Sequence, residues 1–138
     1  MWLFDNKEIK TIDDLPEDCI GFIYKITNLK TNEYYIGKKN IYSHKTLPPL
    51  KGKKRKRKVV KEMRWQEYQS SNDLVKTWPI DEIKKEILRF CFTKKGLTYY
   101  ELKEQFSYAV LEDPLSVNFN LLGKFYKRDL LNENKKEI

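Results

Sequence analysis

Gly21-Phe22-Ile23-Tyr24-Lys25-Ile26-Thr27 and, beyond the polar link Asn28-Leu29-Lys30-Thr31-Asn32, Glu33-Tyr34-Tyr35-Ile36-Gly37-Lys38 are the stretches that decide the fold. Both are rich in aromatic and β-branched residues, the types that fit a pleated, half-buried surface. A link rich in Asn and Thr turns the chain back, so the pair reads as a β-hairpin with a polar turn. Ile20 opens the first strand and Cys19 marks the expected start of the core.

Upstream, residues 1–18 read as a polar N-terminal extension, with Asp13-Asp14-Leu15-Pro16 as a turn. Downstream, Pro48-Pro49 leads into Lys51-Gly52-Lys53-Lys54-Arg55-Lys56-Arg57-Lys58, seven cations in eight residues, a basic loop (45–58) inserted between folded elements. Val60, Met63, Arg64, Trp65 and Tyr68 recur at near-helical spacing. Ser70-Ser71-Asn72-Asp73 offers caps for a short helix ending near Pro79. Asp81–Phe92 fits a helix in its first half and a buried strand in its second. Thr93–Leu111 carries Leu97, Tyr100, Leu102, Phe106, Ala109 and Val110 along one side of an expected helix. Residues 112–126 read as an ordered loop packed back by its aromatics, and 127–138 as a charged, frayed tail.

A chain of 138 residues with 40% apolar and 14% aromatic residues has material for one core and one domain, expected over residues 19–126. It contains no apolar run long enough to span a membrane, and its first ten residues lack the order of a secretion signal, so a cytoplasmic location is expected. Cys19 and Cys91 have no close Cys or His companions and read as packed thiols, not zinc ligands. The net charge of +8 favours a polyanionic partner or simple solubility. The basic run, fixed inside the domain, would impose its field on any neighbouring site and attract phosphates.

The paired motifs Gly21-Phe22-Ile23-Tyr24 and Tyr35-Ile36-Gly37 resemble the two signature strands of the GIY-YIG nuclease family. The resemblance continues through Trp65–Ser71, Tyr100–Phe106 and Asn118-Phe119-Asn120, and looks like the stand-alone GIY-YIG proteins of tailed bacteriophages, which would place it in a host-cell cytoplasm. It implies an α+β fold with a small central antiparallel sheet of three strands flanked by helices. It also implies metal-dependent hydrolysis of DNA, with one Mg²⁺ (or Mn²⁺) per active site. The basic charge is consistent with duplex DNA as the partner of a monomer or homodimer.

By that resemblance Tyr24 orients or deprotonates the attacking water. A phenol does so only if nearby cations lower its pKa, which the adjacent lysines would have to provide. Tyr35 would hold the scissile phosphate, Gly37 would let it approach, and Glu101 would be the metal ligand, with Glu104 as its competitor one turn on. Asn118 would close the site; read by itself it is a turn-capping side chain. For each tyrosine, core packing with a wet hydroxyl is the alternative.

The family's arginine after the second signature is replaced here by the neighbourhood Ser43-His44-Lys45. Lys45 supplies charge without a bidentate fork, and Arg55, Arg57 or Arg64 are alternatives from the basic segment. His44 is an acid, base or phosphate donor, or an idle surface residue. Lys38, Lys39, Lys53 and Lys54 complete the expected phosphate contacts. With little chain outside the domain, low sequence specificity is expected, along with dimerisation or successive nicks for double-strand cleavage. Two rivals remain: a nucleic-acid-binding or inhibitory protein of this fold without catalysis, and an RNA-directed module.

Overall fold

The computed structural model describes residues 1–134. In chain order its strands and helices are β1 (Trp2–Phe4), β2 (Lys7–Ile9), β3 (Gly21–Asn28), β4 (Tyr34–Asn40), β5 (Tyr42–Leu47), β6 (Arg57–Glu62), α1 (Asp73–Lys76), β7 (Ile83–Cys91), α2 (Lys94–Ser107), β8 (Asn120–Leu121), β9 (Phe125–Tyr126) and α3 (Lys127–Asn134). The hairpin read from sequence is β3–β4, paired antiparallel from Gly21↔Asn40 to Thr27↔Tyr34. Asn28 organises its turn: its side-chain oxygen accepts from the N–H groups of Lys30 and Thr31, and Asn32 takes the left-handed conformation that asparagine tolerates.

The main sheet has five strands in the order β2-β1-β7-β3-β4, and β1 runs parallel to β7. The architecture is α+β, but the expected three-stranded antiparallel sheet is corrected to a mixed five-stranded one. The two added strands come from residues 1–18, which are therefore part of the domain. Trp2 is wholly buried, donates its indole N–H to the Trp65 carbonyl at 2.8 Å, and meets Phe22 and Tyr24 edge to face. Burying a ring of that size returns on the order of 5 kcal/mol of transfer free energy.

Both sheet faces are covered. One holds Trp2, Phe22, Tyr24, Ile26, Ile87, Trp65 and Trp78. The other holds Ile23, Ile36, Cys91, Leu97, Val110, Leu111 and Leu121. Cys19 and Cys91 are free, buried thiols, as packed thiols should be.

Pairing on both edges makes all of 83–91 a strand, where the sequence favoured one only in the second half. Residues 59–68 were expected to be helical and 45–58 a loop; instead 57–62 are strand β6, because Val59 and Val60 pair across to Lys45 and His44, and 63–68 form no helix. Helix α1 starts where expected, capped by the Asn72 side chain on the N–H groups of Leu74 and Val75. Helix α2 is capped by Thr93 and stops at Ser107. Its inward line runs through Leu97 and Gln105, while Phe106, expected inside, is 63% exposed. Residues 120–126 form the small β8–β9 hairpin, and 127–134 a helix in place of the expected frayed end. The remainder of that expected tail, 135–138, lies outside the described residues. No helix among the described residues is long and apolar enough to cross a membrane.

Candidate active site

Strand β4 is the edge of the sheet, and the candidate site is built around it. Register places Tyr35 and Gly37 on the same face as Tyr24, and Ile36 and Lys38 on the opposite face, under α2. The free edge is closed over part of its length by residues 115–118. Tyr34 pairs its backbone with Leu115 and Val117. Asn118 then presents its side-chain amide to Ile36, accepting from its N–H at 2.9 Å and donating to its carbonyl at 2.8 Å. Gln105 donates to the same carbonyl at 3.1 Å. Past Ile36 the edge opens, and Lys38 comes next.

A cleft of about 270 Å³ lies across this edge, lined by Tyr35, Asn72, Glu101, Gln105, Asn118 and the β8–β9 hairpin. Glu101 reaches it because it falls one turn after Leu97 and one before Gln105 on the inward line of α2. Glu104 does not line it. Burial raises the Glu101 pKa, partly offset by the Lys38 charge and the Lys38 backbone N–H. Lys38 donates to Thr98 at 3.0 Å.

Tyr24 is buried, and its hydroxyl meets Ser70 Oγ at 3.1 Å. Burial holds its pKa well above the ordinary phenol value, reinforced by neighbouring Tyr68 and Tyr35 and opposed by the Ser70 hydrogen bond. Tyr35, partly exposed, is pushed up to about 12 by burial and by the Glu101 charge, against hydrogen bonds with Ser71 and Ser70. A β-bulge shifts the β3–β7 register between Ile23 and Tyr24, leaving Leu88 without a partner beside this tyrosine. Gly37 is fixed by Tyr24: a Cβ there would lie 2.7 Å from the Tyr24 hydroxyl and 2.8 Å from the Tyr35 ring. The glycine expected to admit a phosphate thus seats both tyrosine rings.

Ser70 was read from sequence only as part of a helix-capping stretch, although it lies in a motif that matched. It is buried at φ +79°, a strained conformation for a residue with a Cβ, and its hydroxyl also accepts from the Asn72 N–H. Two adjacent serines after a tyrosine were the available signal. Asn72 and Gln105 were also missed, since a helix cap and a mid-helix glutamine look structural.

The other expected residues lie around this centre. His44 is exposed and lines a second cleft of about 450 Å³ with Lys38, Tyr42, Ser43, Met63, Lys94, Leu97 and Thr98, so Lys38 is common to its rim and the Glu101 neighbourhood. Lys45 projects from the opposite face of β5 and lines neither cleft. Lys39 packs over the Tyr68 ring at 4.3 Å and approaches Met63 Sδ, with its pKa lowered by burial. Lys53, Lys54, Arg55 and Arg57 are exposed on the β5–β6 hairpin, and Arg64 is exposed just beyond it. Among the described residues no three His, Cys, Asp or Glu side chains converge as a ready-made metal cage.

No curated protein and no solved structure matches the chain. One protein family does: its model, described as "Putative endonuclease segE, GIY-YIG domain", matches residues 2–128. The match takes in the N-terminal strands, both signature strands, α2 and the β8–β9 hairpin, and with that coverage the chain belongs to the GIY-YIG endonuclease family.

Proposed function

We propose that the protein is a magnesium-dependent DNA endonuclease whose chemistry takes place in the cleft of Tyr35 and Glu101. The observation that carries this reading is the convergence, across one open sheet edge, of a half-buried carboxylate, a phenol and a lysine on residues of the family motif. Phosphodiester hydrolysis needs a positioned water, neutralisation of charge on the phosphoryl oxygens, and help for the leaving oxygen.

A single carboxylate suits Mg²⁺, which keeps several waters and completes its shell with substrate phosphate oxygens. Glu101 would hold the ion, which supplies Lewis-acid charge and lowers the pKa of a bound water. The polar lining by Tyr35, Asn72 and Gln105 fits a hydrated ion. Tyr35, neutral at physiological pH, donates a hydrogen bond to the phosphate. Lys38 places a fixed positive charge beside it. Of the two roles open to Tyr24, orientation fits better than proton abstraction, because its phenol is held protonated by burial and bonded to Ser70. Asn118 spends its amide on Ile36, so its part is to fix the β4 edge. One such site cuts one strand, so double-strand breaks require two nicks or a dimer.

The experiment is supercoiled plasmid incubated with the protein in Mg²⁺, in EDTA, and with Glu101→Ala. Mg²⁺-dependent nicking that the variant lacks is expected. Plasmid retarded on a gel yet left intact in Mg²⁺ would replace this reading with a binding protein of the same fold.

A further inference from the structure

The β5–β6 ribbon stands apart from the rest of the molecule. Six rungs join it, from Tyr42↔Glu62 to Leu47↔Arg57, and its root is anchored by wholly buried Ile41 and Trp65. Beyond Tyr42 it gives no side chain to either core. Residues 42–62 hold nine Lys and Arg against the single acidic residue Glu62, so the ribbon carries all of the chain's formal net charge of +8, and the remaining residues balance to zero. The molecule's cationic excess is therefore concentrated on the ribbon.

We propose that this ribbon is an arm that enters the major groove of duplex DNA, with the face bearing Lys45, Arg57 and Lys61 toward the base edges and the tip cations Lys53, Lys54 and Arg55 on flanking phosphates. The inference rests on DNA as the substrate. Alternation assigns the faces: Ser43, Lys45 and Leu47 share one with Lys61, Val59 and Arg57. Tyr42, His44 and Thr46 share the other with Glu62, Val60 and Lys58; Tyr42 and His44 line the cleft with Lys38, joined from the first face only by Ser43 at the root of the ribbon. The first face bears three cations and no acid, and the second is turned to the catalytic body.

Dimensions choose the groove. A two-stranded ribbon fits the major groove, about 12 Å wide, and not the minor groove, about 6 Å wide. Six residues per strand extend about 20 Å, enough to follow the groove for half a turn. Arg57, now on the Pro48 carbonyl at 3.4 Å, and the two lysines match the guanine O6 and N7 acceptors, while Val59 matches a thymine methyl. Because the arm rises beside Lys38, groove entry would bring a phosphate backbone over the open β4 edge.

The test uses the whole protein in EDTA with three forms of one duplex: unmodified, carrying a bulky C5-linked group on every thymine to fill the major groove, and saturated with netropsin to fill the minor groove. Affinity is expected to fall at least about tenfold on the C5-filled duplex and to stay within about twofold with netropsin. In Arg57→Gln/Lys61→Gln, whose sites are exposed, duplex binding persists through the tip and the penalty of the C5 groups shrinks. Equal affinity for the C5-filled duplex, or displacement by netropsin, overturns the arm even if plasmid nicking is found. Groove sensitivity without any nicking upholds the arm and overturns the nuclease reading. Failure to bind duplex in any form overturns the arm together with DNA as substrate.

Discussion

The sheet edge at β4 and the β5–β6 ribbon are adjacent in sequence and opposite in character. At the edge, polar groups are few, buried or half-buried, and individually constrained: Glu101 against Lys38, Tyr24 on Ser70, Asn118 on Ile36. On the ribbon they are many, exposed and alike. Partial burial makes a carboxylate or phenol responsive to its neighbours, which suits chemistry. Solvated lysines act by number and field, which suits capture. On the proposed reading the ribbon holds DNA and the edge cuts it, and substitutions in the two regions should be distinguishable by what they change.

The largest effect should come from Trp2→Ala, which removes the ring packed on Phe22 and Tyr24; a loss of about 3–5 kcal/mol is expected in denaturant unfolding. It would take the cutting region down and show that residues 1–18 belong to the domain. A smaller and sharper effect is expected for Gly37→Ala. Its methyl would displace the Tyr24 hydroxyl and the Tyr35 ring, costing about 1–3 kcal/mol and, in a single-turnover assay, at least about tenfold in rate with little change in DNA affinity.

On the ribbon, Lys53→Gln/Lys54→Gln/Arg55→Gln should leave thermal stability unchanged. Because each phosphate contact adds about one to the slope of log affinity against log salt, that slope should flatten by about three, measured by fluorescence anisotropy. An unchanged slope would end the division of labour.

The smallest effect concerns Lys85, 3% exposed in the core, with its ammonium over the Trp2 ring and donating to the Gln66 carbonyl. Burial lowers its pKa to about 8, below the ordinary 10.5. A folded pKa lowered in this way means that its contribution to stability is full above about 10.5 and lost as pH falls through about 8. Lys85→Met should therefore remove part of the rise in melting temperature between pH 7 and 9, read as the difference from wild type.

Much of this contrast was legible in sequence for local reasons. The β3–β4 hairpin was readable because its turn residues, its β-formers and its two motifs lie within twenty residues. The basic run was obvious, but its strands were not, since Val59–Tyr68 carries a helical period that pairing with β5 overrides. Strands β1 and β2 form a local hairpin whose Asp5-Asn6 turn, with both residues at positive φ, was an available signal; what no local pattern announces is the parallel pairing of β1 with β7. Of the residues named through the motif, Tyr35, Glu101 and Asn118 line the cleft across the β4 edge, and Tyr24 lies buried on β3 with its ring beside Tyr35. What sequence could not give was environment: burial holds the Tyr24 phenol protonated, and Ser70 takes its place beside Tyr24 through a backbone conformation no composition signals.

The most direct test of the central claim is Glu101→Gln, read by single-turnover cleavage at saturating duplex and by Mn²⁺ binding in paramagnetic resonance. Burial raises the Glu101 pKa, so its ionised form costs stability once pH has risen above the folded pKa, and the variant escapes that cost. The account predicts that the variant melts no lower than wild type near neutral pH, binds duplex at least as tightly, no longer binds Mn²⁺, and cleaves more than about a thousandfold more slowly. A variant that still binds the ion and cuts at the wild-type rate would place the chemistry elsewhere and contradict it.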